Sequence, residues 1–326
     1  MDSFIWLEQF LGYFQAIKER SPLTVKEYRY DLVLFFRFMR LRRGQVPAGT
    51  ALDEITLATI DEGFIRQITL GDLYAFVTWL SVERGNGPAI RSRRISAIKS
   101  FFNYLKNKAK ILDENIALEL ESPRLLRRLP RHLSLEESER LLLAAAEKPG
   151  QWSERDYCIL TLFLNCGMRL SELCGINLSH IRGDTLTVIG KGGKERTVYL
   201  NSACLEALED YQAVRPAHPK KDQDALFISK QGQRISTKMV QVLIKHYLQE
   251  AGLDTRKYST HKLRHTAATL MYKYGKVDIR ALQAILGHTS IATTEIYTHI
   301  DADSLHQAVE SNPLNRTRRP RRTNDA

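Results

Sequence analysis

The chain has little of what anchors or staples a protein. None of its apolar runs approaches the roughly 20 residues needed to cross a bilayer, and the opening Met1-Asp2-Ser3-Phe4 lacks the basic stretch that begins a secretory signal. The expectation is a soluble, cytoplasmic protein with no membrane partner. There are only four cysteines, Cys158, Cys166, Cys174 and Cys204, and no Cys-x-x-Cys pair among them. A zinc or dithiol motif is therefore not indicated, and they are read as buried thiols packing as small hydrophobes in a reducing compartment. No Gly-rich phosphate loop, His-Glu-x-x-His helix or tight acidic cluster occurs, so no nucleotide, metal or other small-molecule cofactor is expected. His261, His265, His288 and His299 are the ligands a metal hydrolase would have to use, and nothing acidic accompanies them at ligand spacing.

Acid is also in short supply. Against 48 Lys and Arg stand 37 Asp and Glu, a formal charge of +11. Such an excess favours a polyanionic partner, because phosphates neutralised by Lys and Arg release condensed counterions. At 326 residues with 43% hydrophobic content the chain can fill two cores.

Residues 1–115 read as a helical bundle. Apolar residues recur at three and four spacing through Phe4, Leu7, Phe10, Leu11 and Phe14, and again through Tyr28, Leu32, Phe35, Phe36 and Met39. Ser21-Pro22 is a helix-start signal for the second run, and a third helix is expected over Leu70–Val82, before the Gly85-Asn86-Gly87-Pro88 turn. The next helix carries Arg91, Arg93, Arg94 and Lys99 beside Ile95, Ile98, Phe101 and Phe102, so one face is expected to pack and the other to meet DNA phosphates. Residues 116–133, with Pro123, Arg124, Arg127, Arg128 and Pro130, have no helical period and suit a basic inter-domain linker that also touches DNA.

A second domain is expected over 134–312. It opens at Ser134-Leu135-Glu136-Glu137, a capping-box spacing, and holds a hairpin of strands 185–190 and 195–200 around Lys191-Gly192-Gly193-Lys194. Helices are expected over 156–164, 202–214, 237–250, 261–274 and 278–286. The fold class is thus mainly α with a small β-sheet. A further amphipathic helix is expected at 301–309, and 313–326 reads as a basic, disordered tail.

Four separated segments carry polar groups that packing alone does not require: Gly167-Met168-Arg169-Leu170-Ser171-Glu172-Leu173, Gly190 to Arg196, His261-Lys262-Leu263-Arg264-His265, and Leu286-Gly287-His288 with Thr294-Glu295-Ile296-Tyr297-Thr298-His299. Breaking a phosphodiester without a metal needs charge on the non-bridging oxygens to be stabilised, a nucleophile in line, and a proton for the leaving oxygen. Arginine suits the first task, since its planar fork stays charged and donates two hydrogen bonds to a phosphate. Arg169 and Arg264 are the candidates. On a helix His261 shares a face with Arg264, whereas His265 is read as pointing elsewhere. Tyr297 stands apart from the other tyrosines, such as Tyr13, Tyr28, Tyr104 and Tyr157 in amphipathic stretches, because of its polar surroundings.

In order and context these segments resemble the tyrosine recombinases, the phage integrase and Xer family of site-specific DNA recombinases. The likeness covers the second half of the chain, with His288 nine residues before Tyr297, and the helical first half is similar in kind to the family's SAM-like core-binding domain. The resemblance implies Tyr297 as nucleophile and Arg169 and Arg264 as a phosphate clamp. His261 and His288 become hydrogen-bonding or proton-transfer groups, Lys191 the acid for the 5′-hydroxyl leaving group, and Glu172 an orienting carboxylate. Lys194 and Lys262 are the alternative acids. It also implies a double-stranded DNA recombination site as partner, four like or unlike protomers on two sites, and no cofactor. Dimer resolution and mobile-element integration are both open, and the absence of an extra domain before Met1 leans toward the Xer-like kind. A type IB topoisomerase, or a DNA-binding protein without catalysis, are the competing expectations.

Overall fold

The computed structural model describes residues 3–47, 49–124, 131–147, 150, 152–216, 222–275 and 277–287. The chain divides into two compact units, Met1–Arg127 and Arg128–Ala326.

The first unit is a helical bundle of α1 (Ile5–Ala16), α2 (Pro22–Arg42), the short α3 (Glu62–Arg66), α4 (Leu70–Val82) and α5 (Pro88–Tyr104). Each start has a local cause. The Ser21 hydroxyl accepts from the Thr24 N–H at 3.3 Å with Pro22 in the first turn of α2, and Thr69 and Asp72 cap α4 reciprocally. The core is aromatic: Phe10, Phe35, Phe36, Phe76, Phe101 and Phe102 are fully buried, and Phe101 meets Phe10 and Phe36 edge-on at 5.4 and 5.5 Å. Each such ring contributes about 1.5–3 kcal/mol by leaving water.

Helix α5 does not turn its arginines outward together. Arg94 lies only 6% exposed, its Nε 3.4 Å from the fully buried Asp31 of α2, while Arg93 ion-pairs with Glu27 and Asp31 at 2.9 and 2.7 Å. Lys99 donates to the Leu118 carbonyl at 3.3 Å, and Arg91 is half-buried. Position 94 falls at helical spacing with Ile98, Phe101 and Phe102, the buried stripe, and this withdraws Arg94 from the DNA face assigned to it from the sequence.

Burial pushes the Asp31 carboxyl up to about 6, against the pull of Arg93 and Arg94 and with a push from Glu27. A raised folded-state value means that the stability linked to this group is fully present below its ordinary 3.8 and is lost as pH rises through about 6. An NMR titration of the Asp31 carboxyl in the whole protein is expected to show a midpoint near 6; a midpoint at the ordinary value would refute this.

The second unit is built on α7 (Ser153–Cys166), whose Cys158, Ile159, Leu160, Leu162 and Phe163 are all fully buried. Around it lie α6 (Leu135–Ala146), α8 (Leu170–Cys174), α9 (Ser202–Val214), α10 (Thr237–Glu250), α11 (Thr260–Lys273) and α12 (Ile279–Leu286). The Ser134–Glu137 capping box opens α6. A three-stranded antiparallel sheet, β1 (Ile181–Arg182), β2 (Thr185–Ile189) and β3 (Glu195–Tyr199), is ordered β1-β2-β3, with Val188 opposite Arg196. All four cysteines are buried free thiols, Cys166 and Cys204 with sulfurs 3.7 Å apart. Helices α11 and α12 share a small core of Ala268, Leu282 and Leu286. No helix among the described residues is long and apolar enough to cross a membrane.

Candidate active site

The candidate site is organised around a buried carboxylate. Glu172, on α8, is 1% exposed and accepts from three donors: the Arg169 N–H at 2.8 Å, the Arg169 guanidinium at 2.6 Å and the Arg196 guanidinium at 2.9 Å. Arg264, from α11, lies 3.8 Å from the same carboxylate. Burial pushes the Glu172 carboxyl up, but the Arg196 hydrogen bond, the Arg169 N–H and the remaining guanidinium interactions outweigh it and hold it below its ordinary value. Glu172 is therefore an anion at neutral pH, and it fixes the planes of two arginines by bonding them.

The two candidate clamp arginines differ in access. Arg264 is 3% exposed; its two terminal nitrogens donate to the Gly167 carbonyl at 2.7 Å and the Leu286 carbonyl at 2.6 Å. Those carbonyls lie where α7 and α12 end, and helix ends leave carbonyls in need of donors. Arg169 keeps 37% of its side chain exposed while donating to the Gly287 carbonyl at 3.0 Å. Both arginines thus grip the end of α12, the point from which the chain continues to position 288.

Gly287 ends α12 with φ +63°, a left-handed conformation suited to glycine. A Cβ there would meet Arg196 Cδ at 2.6 Å. Gly287→Ala is accordingly expected to destabilise the unit by about 1–2 kcal/mol from conformation alone, with the clash added. Urea unfolding checks this; an unchanged midpoint would contradict the close approach.

The hairpin reaches the same place. A Cβ on Gly190 would lie 3.5 Å from Glu172 Oε1 and 3.9 Å from an Arg169 nitrogen, so the residue before Lys191 rests on the Arg169–Glu172 pair. The loop is a single tight turn over Lys191–Gly193, with Gly192 and Gly193 at φ +75° and +73° and the Gly190 N–H bonded to the Lys194 carbonyl at 2.7 Å. Lys194 is exposed, and the Lys262 ammonium donates to the Lys257 carbonyl.

His261, in the first turn of α11, has its imidazole pushed below its ordinary value by burial, then by Arg264 and Arg169. His265 does not point elsewhere, as the sequence pattern was read to say. One turn on, its ring meets the His261 ring edge-to-face at 4.5 Å, and burial, then His261, Arg264, His132 and Lys262, push it down to about 4. It is a neutral packing partner for His261 at physiological pH. Candidates His288 and Tyr297, with Arg127 and Arg128, lie outside the described residues, whereas Arg124 is described and exposed.

Residues 131–304 match the phage integrase family, and residues 7–109 match its N-terminal SAM-like domain. The chain belongs to the phage integrase family. It is 54% identical to the tyrosine recombinase XerC of Caldanaerobacter subterraneus, over 94% of this chain and 86% of that protein. To the tyrosine recombinase XerD of Proteus mirabilis it is 35% identical, over 93% and 91% of the two chains. Its fold is similar to that of the XerH site-specific recombinase in a pre-cleavage complex with its difH substrate, with a TM-score of 0.68 and 24% identity over 94% and 83% of the chains. The chain is thus a tyrosine recombinase of the Xer-like kind.

Arg196 is the residue of this recombinase to which the sequence pattern assigned no task. Beyond Glu172, it donates to the Ile285 carbonyl at 2.5 Å. The available signal was its register: in β3, positions 196 and 198 share one face, and Val198 is buried. A charge in an inward register needs a partner, and here it has two.

Proposed function

We propose that the recombinase cleaves and rejoins DNA through a 3′-phosphotyrosyl link on Tyr297, with Arg169 and Arg264 stabilising the charge that builds on the scissile phosphate. One observation carries this reading: both arginines converge on Glu172 and both bond the carbonyls at the end of α12, from which the chain leads to His288 and Tyr297. Arg169, the more exposed, meets the phosphate first; Arg264 reaches it by exchanging a carbonyl for a phosphate oxygen.

The Tyr297 hydroxyl gives its proton to His261 or His288, and its oxygen attacks phosphorus and forms a new P–O bond while the bond to the 5′ oxygen breaks. Lys191 delivers a proton to that leaving oxygen, and His261 and His288 donate hydrogen bonds or pass protons at the same phosphate. Attack of a 5′-hydroxyl on the phosphotyrosine reverses these steps and restores the strand, so neither nucleotide nor metal enters the scheme. Residues 1–115 form a helical DNA-binding domain, 116–133 a basic linker, 134–312 the catalytic domain and 313–326 a basic tail. Arg91, Arg93, Lys99, Arg124, Arg127 and Arg128 contribute phosphate contacts. Four protomers on two DNA sites exchange strands in the cytoplasm.

The test is covalent capture from sheared genomic DNA of the source organism. Protein-linked fragments that survive detergent and share one short sequence are expected, and a two-site plasmid bearing that sequence is expected to yield recombined circles. Relaxation of any plasmid with no recombined product would instead place the enzyme with the topoisomerases, and no linked DNA at all would reject the chemistry.

A further inference from the structure

Arg196 stands where three parts of the site meet, and the recombinase reading above gives it no task. Its side chain rises from β3, the strand that leaves the Lys191 hairpin, opposite Val188 of β2. One terminal nitrogen bonds Glu172 Oε2 at 2.9 Å, the other the Ile285 carbonyl at 2.5 Å, and the side chain passes directly beneath Gly287. Gly287 is held by Arg169 as well, which donates to its carbonyl at 3.0 Å. A single guanidinium therefore ties the hairpin, the Arg169–Glu172 turn and the end of α12 together, although these lie far apart in sequence.

We propose that Arg196 is a positioning residue for strand cleavage: it holds the Glu172 carboxylate against Arg169 and sets the Gly287 turn from which His288 and Tyr297 follow. This rests on the recombinase reading of the site. Only 13% of the side chain is exposed, beneath that turn, so it acts on DNA through its neighbours. Only a planar, two-ended donor fits the arrangement. A lysine ammonium keeps the charge but presents a point where the fork now spans a carboxylate and a carbonyl.

A filler of space would leave a different trace from a positioning residue. Among the described residues, the charged groups facing Glu172 are Arg169 at the start of α8, Arg196 from β3 and Arg264 from α11, and the Gly190 backbone of the hairpin lies close by. The bond from Arg196 is among the interactions that keep the Glu172 carboxyl ionised against burial. Without it, burial gains ground and Glu172 takes up a proton at higher pH. Cleavage that depends on the carboxylate then fails earlier on the acid side.

The experiment uses the full-length protein and nicked duplexes carrying the DNA sequence recovered by covalent capture. Single-turnover rates of covalent-complex formation at saturating duplex, Kd and Tm are measured from pH 4.5 to 8 for wild type, R196K, R196Q, E172Q and R196Q/E172Q. R196Q is expected to cleave about 10–100-fold more slowly at pH 7.5 with Kd unchanged, as groups that orient a reacting shell typically do when removed. Its acid limb is expected to move to higher pH, E172Q is expected to add little on the R196Q background, and R196K, which keeps the charge, is expected to bring the limb back toward wild type. An R196Q rate equal to wild type would overturn the proposal. So would a loss equal at every pH and fully additive with E172Q, which marks mere loss of packing. If R196Q does not fold, R196K decides: its rate is expected to stay below wild type because the two-ended fork is lost, and a wild-type rate would overturn the proposal. Absence of a covalent complex with the wild-type protein would overturn the recombinase reading itself, an outcome distinct from failure of Arg196 alone.

Discussion

Replacing Arg264 by alanine is expected to slow covalent-complex formation by about 10²–10³-fold, the loss typical when one preorganised donor to a developing oxyanion is removed. The guanidinium is buried, 3.8 Å from Glu172, and bonded to the carbonyls of Gly167 and Leu286. Its plane is fixed by these bonds before DNA arrives, and in the proposed reaction one carbonyl gives way to a phosphate oxygen. The substitution also strips two helix-terminal carbonyls of their donor, which lowers Tm as well as rate. Arg264→Lys separates the two effects: it keeps the charge and loses the fork, so the rate should remain depressed while much of the stability returns. A lysine variant that cleaves at the wild-type rate would show that charge alone suffices.

Glu172→Ala is expected to destabilise the second unit by about 3–5 kcal/mol, because removing one partner from a buried ionic cluster leaves the others uncompensated. Arg196 and Arg264 would stay buried beside an empty space, and Arg169 would lose the bond that orients it. The folded-state value of this carboxyl lies below its ordinary 4.5, so its stabilisation is fully present above pH 4.5 and is lost as pH falls through the folded value. Urea unfolding from pH 3 to 7 should therefore show the widest gap between wild type and variant near neutrality, narrowing below pH 4.5. A gap that does not change with pH would mean that the carboxylate's charge contributes nothing.

Local chemistry made most elements legible in the sequence. Helix α4 runs over Leu70–Val82 because Thr69 caps it, and β2 and β3 flank a Gly-Gly turn that only a hairpin uses. What stayed hidden depends on contacts between distant segments. Helix α3, with five residues, is too short to show a period, and β1, with two, exists only because β2 offers it a partner. Arg94 was placed on the DNA face with its neighbours, yet Asp31 of α2 draws it inward, a pairing that no local pattern announces. At the site, Arg169, Glu172 and Arg264 stood out by motif, and the structure brings them together. The His265–His261 contact follows from their one-turn spacing on α11, and the inward setting of Arg196 from strand alternation in β3.

Phosphotyrosyl chemistry on Tyr297 can be read from the position of the DNA adduct. Nicked duplex would be trapped on the wild-type protein, digested to a nucleotide remnant, and the modified peptide sequenced by mass spectrometry beside the Tyr297→Phe protein. One adduct is expected, on the Tyr297 oxygen and joined to the 3′ phosphate, and it disappears in the variant. An adduct on another residue, or one that survives Tyr297→Phe, would contradict it.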